Sequence, residues 1–189
     1  TISRSGFGIE SEGEIPLFDL IKSAVRHRPD LIIVGEIRGE EAYVLFQALA
    51  TGHGGLCTMH ADNLENTVKR LTSPPMNIAE IYVPLMNVCI NVSRIDLPRK
   101  KLGLTYGRRI RNIQEIIDYG NYNPVAEWSP IEDDFETNFS ESRLLDLIAV
   151  KRGLQKKFLL QEIHERETML MELVEEGVRS QKDVARAIM

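Results

Sequence analysis

Two residues in this chain stand where α/β proteins do chemistry: Glu36, closing Leu31-Ile32-Ile33-Val34-Gly35-Glu36, and His60, closing Gly55-Leu56-Cys57-Thr58-Met59-His60. Each follows a short apolar run, and the crevice outside the carboxyl ends of strands is where open α/β sheets bind ligands. Leu31 to Val34 shows no polar alternation, the pattern of a strand covered on both faces in a parallel sheet. Between the runs, Glu40 to Thr51 places Tyr43, Val44, Phe46, Ala48, Leu49 and Ala50 at mostly helical spacing, and Gly52 follows as a stop. The expected unit is strand, helix, strand, with one polar residue of catalytic type at each strand end.

The residues from Arg28 to Ala42 read R-P-D-L-I-I-V-G-E-I-R-G-E-E-A, and those from Ala50 to Asn63 read A-T-G-H-G-G-L-C-T-M-H-A-D-N. They resemble the Walker B and histidine boxes of the motor ATPases that power type II secretion, type IV pili and the archaeal archaellum. Gly6-Phe7-Gly8, Leu17-Phe18-Asp19-Leu20 and Arg70-Leu71-Thr72-Ser73-Pro74-Pro75-Met76-Asn77 resemble the archaeal branch of that family. The resemblance runs from about Ser3 to Asp118, and two ordered boxes at the expected separation are more specific than either alone. It implies an α/β fold, the C-terminal portion of a RecA-like P-loop ATPase core, with ATP and Mg²⁺ as cofactors.

Nucleotide hydrolysis needs a phosphate cradle, a Mg²⁺ ion, a group that positions the attacking water and positive charge on the transferring phosphoryl group. By resemblance, Glu36 supplies the water-positioning carboxylate and a possible place in the Mg²⁺ shell. The plainer reading of an isolated G-E-I-R is a loop glutamate paired with Arg38. His60 and His53 match the histidine box, whose implied work is to contact the γ-phosphate. His53, between Gly52 and Gly54, also suits a tight turn. Arg38, Arg4, Arg26 and Arg28 are the candidate nucleotide-binding cations, since a planar guanidinium can hold two phosphate oxygens. Arg26 and Arg28 equally suit a helix C-terminus, where cations are favoured by the dipole.

No G-x-x-x-x-G-K-[ST] occurs in the 189 residues, so the backbone nest, phosphate lysine and Mg²⁺-binding hydroxyl of a phosphate loop are missing. The family's acidic box, expected upstream of Ser3, is missing too. The expectation is therefore the C-terminal part of a longer motor ATPase, truncated at Thr1 and inactive alone. The implied parent is a homo-hexamer at the cytoplasmic face of the membrane, docked on a polytopic inner-membrane platform protein. Two alternatives stand beside it: a conjugative type IV secretion ATPase, and a non-catalytic interaction module that naturally lacks the loop.

The rest of the chain sets the frame. Net charge is −5, which argues against direct nucleic-acid binding through bulk electrostatics. The apolar runs are far shorter than the ~20 residues of a membrane-spanning helix. Cys57 and Cys89 lack metal-ligand spacing and read as reduced core residues. Helices are expected over Asp19 to Arg28, from an Asp62 cap to about Leu71, and over Ile78 to Met86. Strands are expected over Asn87 to Ile95, Arg109 to Tyr119 and Asn123 to Trp128. Arg94 to Arg111 carries seven Lys or Arg against one acid, the pattern of a charged sheet edge. The domain reading is an ATPase core over 1–130, an acidic linker over 131–139 and a small helical C-terminal subdomain over 140–189. Its helices are Ser142 to Arg152, Leu154 to Glu176 and Ser180 to Met189, the middle one packing through Leu159, Ile163, Leu170 and Val174.

Overall fold

The computed structural model describes residues 16–96 and 106–188. Packing divides the chain into two units, Thr1–Glu136 and Thr137–Met189.

In the first unit, α1 (Leu17–Arg26) presents Leu17, Phe18, Ile21 and Val25 to a common core. Pro29 follows just beyond it and helps end it. Strand β1 (Leu31–Val34) pairs in parallel with β2 (Gly54–Cys57), in register Leu31↔Gly54 to Val34↔Cys57, and α2 (Glu41–Ala50) makes the crossover. The glycines of Gly-His-Gly-Gly serve this packing. A Cβ on Gly55 would lie 2.6 Å from Leu49 Cδ2, one on Gly54 would lie 2.9 Å from the Asp30 carbonyl oxygen, and Gly52 turns the chain at φ 97°. Only residues without a side chain let α2 fold back this closely on the strand it precedes.

Ile32 and Val34 face inward and join Ile37, Leu45, Phe46, Leu71, Met76 and Ile78 in one core. The opposite face departs from the expectation of two-sided cover: Leu31 is 48% exposed, Ile33 70% and Leu56 57%. The helices that pack on β1 and β2 among the described residues lie on one side. Cys57, on β2, is exposed rather than in the core, and Cys89 is half-buried.

Helix α3 (Leu64–Thr72) is capped by Asn63, whose side chain accepts the Asn66 N–H at 2.8 Å, and not by Asp62. Asn63 has the extended backbone of an N-cap residue, so the cap falls one residue later than expected. Leu64 and Val68 form a second cluster with Val83 and Ile116. Val83 belongs to a 3-10 helix, Glu80–Met86, in place of a regular α-helix over Ile78 to Met86, as Pro84 requires.

An antiparallel sheet follows in the order β3 (Val88–Asp96), β4 (Tyr106–Asp118), β5 (Asn121–Ser129), β6 (Asp134–Thr137). Its last strand occupies residues expected to be linker. β6 has four exposed residues and no apolar alternation, so it carries no strand signal of its own. The turn before it is pinned by Asp133, whose carboxylate accepts from Arg109 at 2.8 and 2.9 Å and from the Trp128 indole at 3.1 Å.

The second unit holds α4 (Arg143–Arg152), α5 (Lys156–Glu175) and α6 (Gln181–Ile188). Buried Ser142 caps α4 by accepting the Leu145 N–H at 3.0 Å, and left-handed Gly153 ends it at φ 65°. On α5 the expected packing face holds for Leu159, which is buried. It fails further along, where Leu170 and Val174 are exposed at 46% and 63%.

Candidate functional site

The parallel pairing of β1 and β2 brings two chain ends side by side, and backbone bonds tie them together. The Ile37 N–H donates to the Thr58 carbonyl at 3.0 Å, and the Thr58 hydroxyl donates to the Gly35 carbonyl at 2.5 Å. Glu36 lies between these ties. Its Oε2 accepts from the Arg38 guanidinium at 2.6 Å, and its Oε1 faces His60 Nε2 at 3.4 Å, a contact that becomes an ion pair when the ring is protonated. The Glu36 side chain is 25% exposed while that of His60 is 82% exposed, so the pair forms the floor and rim of an open site. Both residues lie beyond the strands proper. β2 ends at Cys57, not at Met59, so His60 is carried on a loop.

Three further residues hold this loop geometry. Glu41, in the first turn of α2, accepts the N–H groups of Arg38 at 2.6 Å and Gly39 at 2.9 Å. Arg70, in the last turn of α3, donates to the His60 carbonyl. Asn91 of β3 donates to the Asp62 carbonyl at 2.8 Å. Nothing in the local sequence marks Glu41, Thr58, Arg70 or Asn91 for this role. The helical phase of α3 says only that Arg70, beside buried Leu71, is not itself core.

The electrostatics follow from these contacts. The Arg38 hydrogen bond holds the Glu36 carboxyl below its usual range. Desolvation opposes it, and the charges of Arg38, His60 and Arg70 add to the lowering. Burial pulls the Glu41 carboxyl upward, but the amides of Arg38, Gly39 and Glu41 itself outweigh it and leave that group lowered as well. A carboxylate held this far toward its ionised form is a weak proton acceptor near neutrality and a good acceptor of a water's hydrogen bond.

The other sequence candidates are not gathered at this site. His53 sits at the amino end of β2, opposite to the end that leads to His60. Its Nδ1 lies 3.1 Å from the Ala48 carbonyl and 3.3 Å from Thr51 Oγ1, the contacts of a turn residue. Arg26 closes α1, and exposed Arg28 has φ 48°, both before β1 and so at its amino end. Arg4 lies outside the described residues. The ion pair between Glu36 and Arg38 is present, so the plainer reading of G-E-I-R and the chemical one describe the same two side chains.

Among the described residues no group of three or more His, Cys, Asp or Glu converges as a metal site. A protein usually binds Mg²⁺ through one or two carboxylates, with water and substrate phosphates completing the shell. Glu36 fits such a partial donor and cannot hold the ion alone. For a nucleotide, Glu36, Arg38 and His60 fit the phosphate end.

The family profile described as "Type II/IV secretion system protein" matches residues 5–101, which include Glu36, Arg38, His53 and His60. An uncharacterized protein of Methanocaldococcus jannaschii is 42% identical over 178 residues, covering 90% of this chain and 63% of that protein. The conjugal transfer protein TrbB of Rhizobium radiobacter is 31% identical over 134 residues, covering 70% of this chain and 40% of its own length. The competence protein ComGA of Streptococcus pneumoniae is 40% identical over 72 residues, covering 38% of this chain and 23% of its own length. The chain thus spans less than two thirds of the length of each of these relatives. With more than half of its residues matched by one profile, and with the two paired strand ends inside the match, the chain belongs to the type II/IV secretion system protein family.

Proposed function

We propose that this chain is the C-terminal part of a RecA-like ATPase core whose full-length parent is a hexameric motor for type II-like secretion or for assembly of type IV pilus-like or archaellum filaments. The observation that carries this reading is the apposition of Glu36 and His60 at the carboxyl ends of neighbouring parallel strands, with Arg38 on the same carboxylate. Bound Mg²⁺ and ATP would supply the reactive phosphoanhydride and its charge neutralisation. Glu36 orients the attacking water through its ionised carboxylate. His60, exposed and on a pinned loop, contacts the γ-phosphate. Arg38 is displaced from Glu36 or stays to spread charge on the phosphoryl oxygens.

His53, Arg4, Arg26 and Arg28 are proposed as further nucleotide-binding residues, the arginines toward the nucleotide sites of neighbouring subunits. The phosphate loop and acidic box belong to the preceding part of the parent, which also covers the exposed face of Leu31, Ile33 and Leu56. The domain assignment, with a core over 1–130, a linker over 131–139 and a helical subdomain over 140–189, is part of the same proposal. So are a cytoplasmic site at the membrane, a polytopic platform protein as partner and the absence of direct nucleic-acid binding. No helix among the described residues is long and apolar enough to cross a membrane.

The test is Mg²⁺-dependent ATP hydrolysis by the full-length protein beside Glu36→Gln and His60→Ala. The reading expects Glu36→Gln to lower kcat by about 10²-fold or more, the scale of a positioned catalytic group, with nucleotide binding retained. Normal turnover in Glu36→Gln, or an inert parent, would leave a non-catalytic interaction module as the better account. A second reading, a conjugative type IV secretion ATPase, is favoured by the similarity to TrbB over 70% of the chain. The sequence of the N-terminal domain separates the two.

A further inference from the structure

Beside the Glu36 and His60 site lies a cavity of about 300 Å³, with Arg38, Lys69, Arg70 and Ser73 on its polar side and the Pro74 to Met76 stretch as its apolar wall. Its lining contains three cations and no acid. A second cavity of about 470 Å³ shares Lys69 and Arg70 with it and adds His60, Asn66 and Asp62. The two cavities therefore meet at a pair of cations that also border the candidate catalytic centre.

The end of α3 accounts for part of this charge, because Lys69 and Arg70 sit in its last turn, where the helix dipole favours cations. It does not account for Arg38, which arrives from the loop after β1. Among the described residues Lys69 and Arg70 form no ion pair, and the ion pair of Arg38 is with Glu36, outside the cavity lining. Glu36 offsets the charge of Arg38, so Lys69 and Arg70, adjacent on α3 and with no carboxylate in this lining, are the two charges that an anion in the cavity would offset.

We propose that this cavity is a binding site for a phosphate-class oxyanion, held by Lys69, Arg70 and the Ser73 hydroxyl and reached by Arg38. The proposal needs no turnover. Only the origin of the anion, as the product of hydrolysis next door, rests on the function proposed above. Arg38 is the shared element: its guanidinium bonds Glu36 when the cavity holds no anion and is drawn toward the oxyanion when one is bound, which releases the carboxylate. The cavity is larger than one phosphate, so the anion is either free phosphate with water or the phosphate of a nucleotide whose remainder extends outward.

The experiment titrates this chain, carrying Ile33→Glu to keep it dispersed, with inorganic phosphate at constant ionic strength, following backbone amide shifts by NMR, with ADP in a parallel series. Saturable shifts at Lys69, Arg70 and Ser73 are expected. Lys69→Ala should weaken binding about tenfold, the scale of one charge-assisted hydrogen bond, with Ser73→Ala weaker in effect. Glu36→Gln, which frees Arg38, should strengthen it. Linear, unsaturable shifts would overturn the site, as would equal weakening by Lys69→Ala and by Lys157→Ala in the other unit. Lys69→Gln, with amide dispersion unchanged from the parent, guards against loss through misfolding. Tighter binding of phosphate than of ADP assigns the free anion, and the reverse assigns the nucleotide; either result keeps the site. Because no hydrolysis is measured, failure here leaves the ATPase reading standing, and failure of Glu36→Gln to affect turnover leaves this site standing.

Discussion

At the scale of single residues, the pairing of Glu36 with Arg38 decides the character of the site. A carboxylate that accepts a 2.6 Å guanidinium bond is kept ionised, and its exposure lets water reach the second oxygen beside His60. Arg38→Ala removes the largest cause of that lowering, so the Glu36 pKa should rise toward its ordinary value, as read by carboxyl ¹³C shifts against pH. An unmoved titration would mean that the bond is not kept in solution. The loop that carries His60 rests on smaller contacts. Asn63→Ala should cost about 1 kcal/mol through the lost cap on α3, measured by chemical denaturation. Glu36 and His60 were legible in the sequence as candidates, because short apolar runs ending in Glu and His are local features. Arg70 and Asn91 were not, because each acts on the His60 loop from an element distant in sequence.

At the scale of elements, the loop between β1 and α2 depends on Glu41. Its folded pKa is lowered, so the stability it contributes is fully present above the ordinary carboxylate range and is lost as pH falls through the lower folded value. The protection of the Arg38 and Gly39 amides, taken relative to their intrinsic exchange rates, should therefore fall as the pH is lowered through the carboxylate range. Glu41→Gln should remove that pH dependence. Helix α3 is tied to the core through Leu71, which is fully buried. Leu71→Ala should destabilise the first unit by about 2–5 kcal/mol, seen as a lower denaturation midpoint. The short elements followed their periodicity, but β6 did not announce itself. Its four residues are exposed, and they form a strand because β5 offers an edge and Asp133 pins the turn between them.

At the scale of the whole molecule, the first unit has one packed side and one open side at β1 and β2. Leu31, Ile33 and Leu56 form an exposed apolar face on a parallel pair that, among the described residues, has two strands. Such a face favours self-association of this chain in isolation. Light scattering should show oligomers that grow with concentration, and Ile33→Glu should reduce them without lowering the denaturation midpoint. A monodisperse monomer at high concentration would count against a cover supplied by further polypeptide.

By itself the sequence determined which residues could do chemistry and the order of nearly every element, because helix and strand periods, caps and turn glycines act over a few positions. Gly52 to Gly55 and the run Leu31 to Val34 are of this kind. Only the tertiary structure decided which candidates meet. His53 and His60 are seven residues apart in one motif, yet a strand running between them puts them at opposite ends of β2. Lys69 and Arg70, by contrast, come to the side of Arg38 through the packing of α3. Burial was settled at the same level: alternate residues of β1 face a core on one side only, and no local pattern in four consecutive apolar residues can say whether the second side is covered.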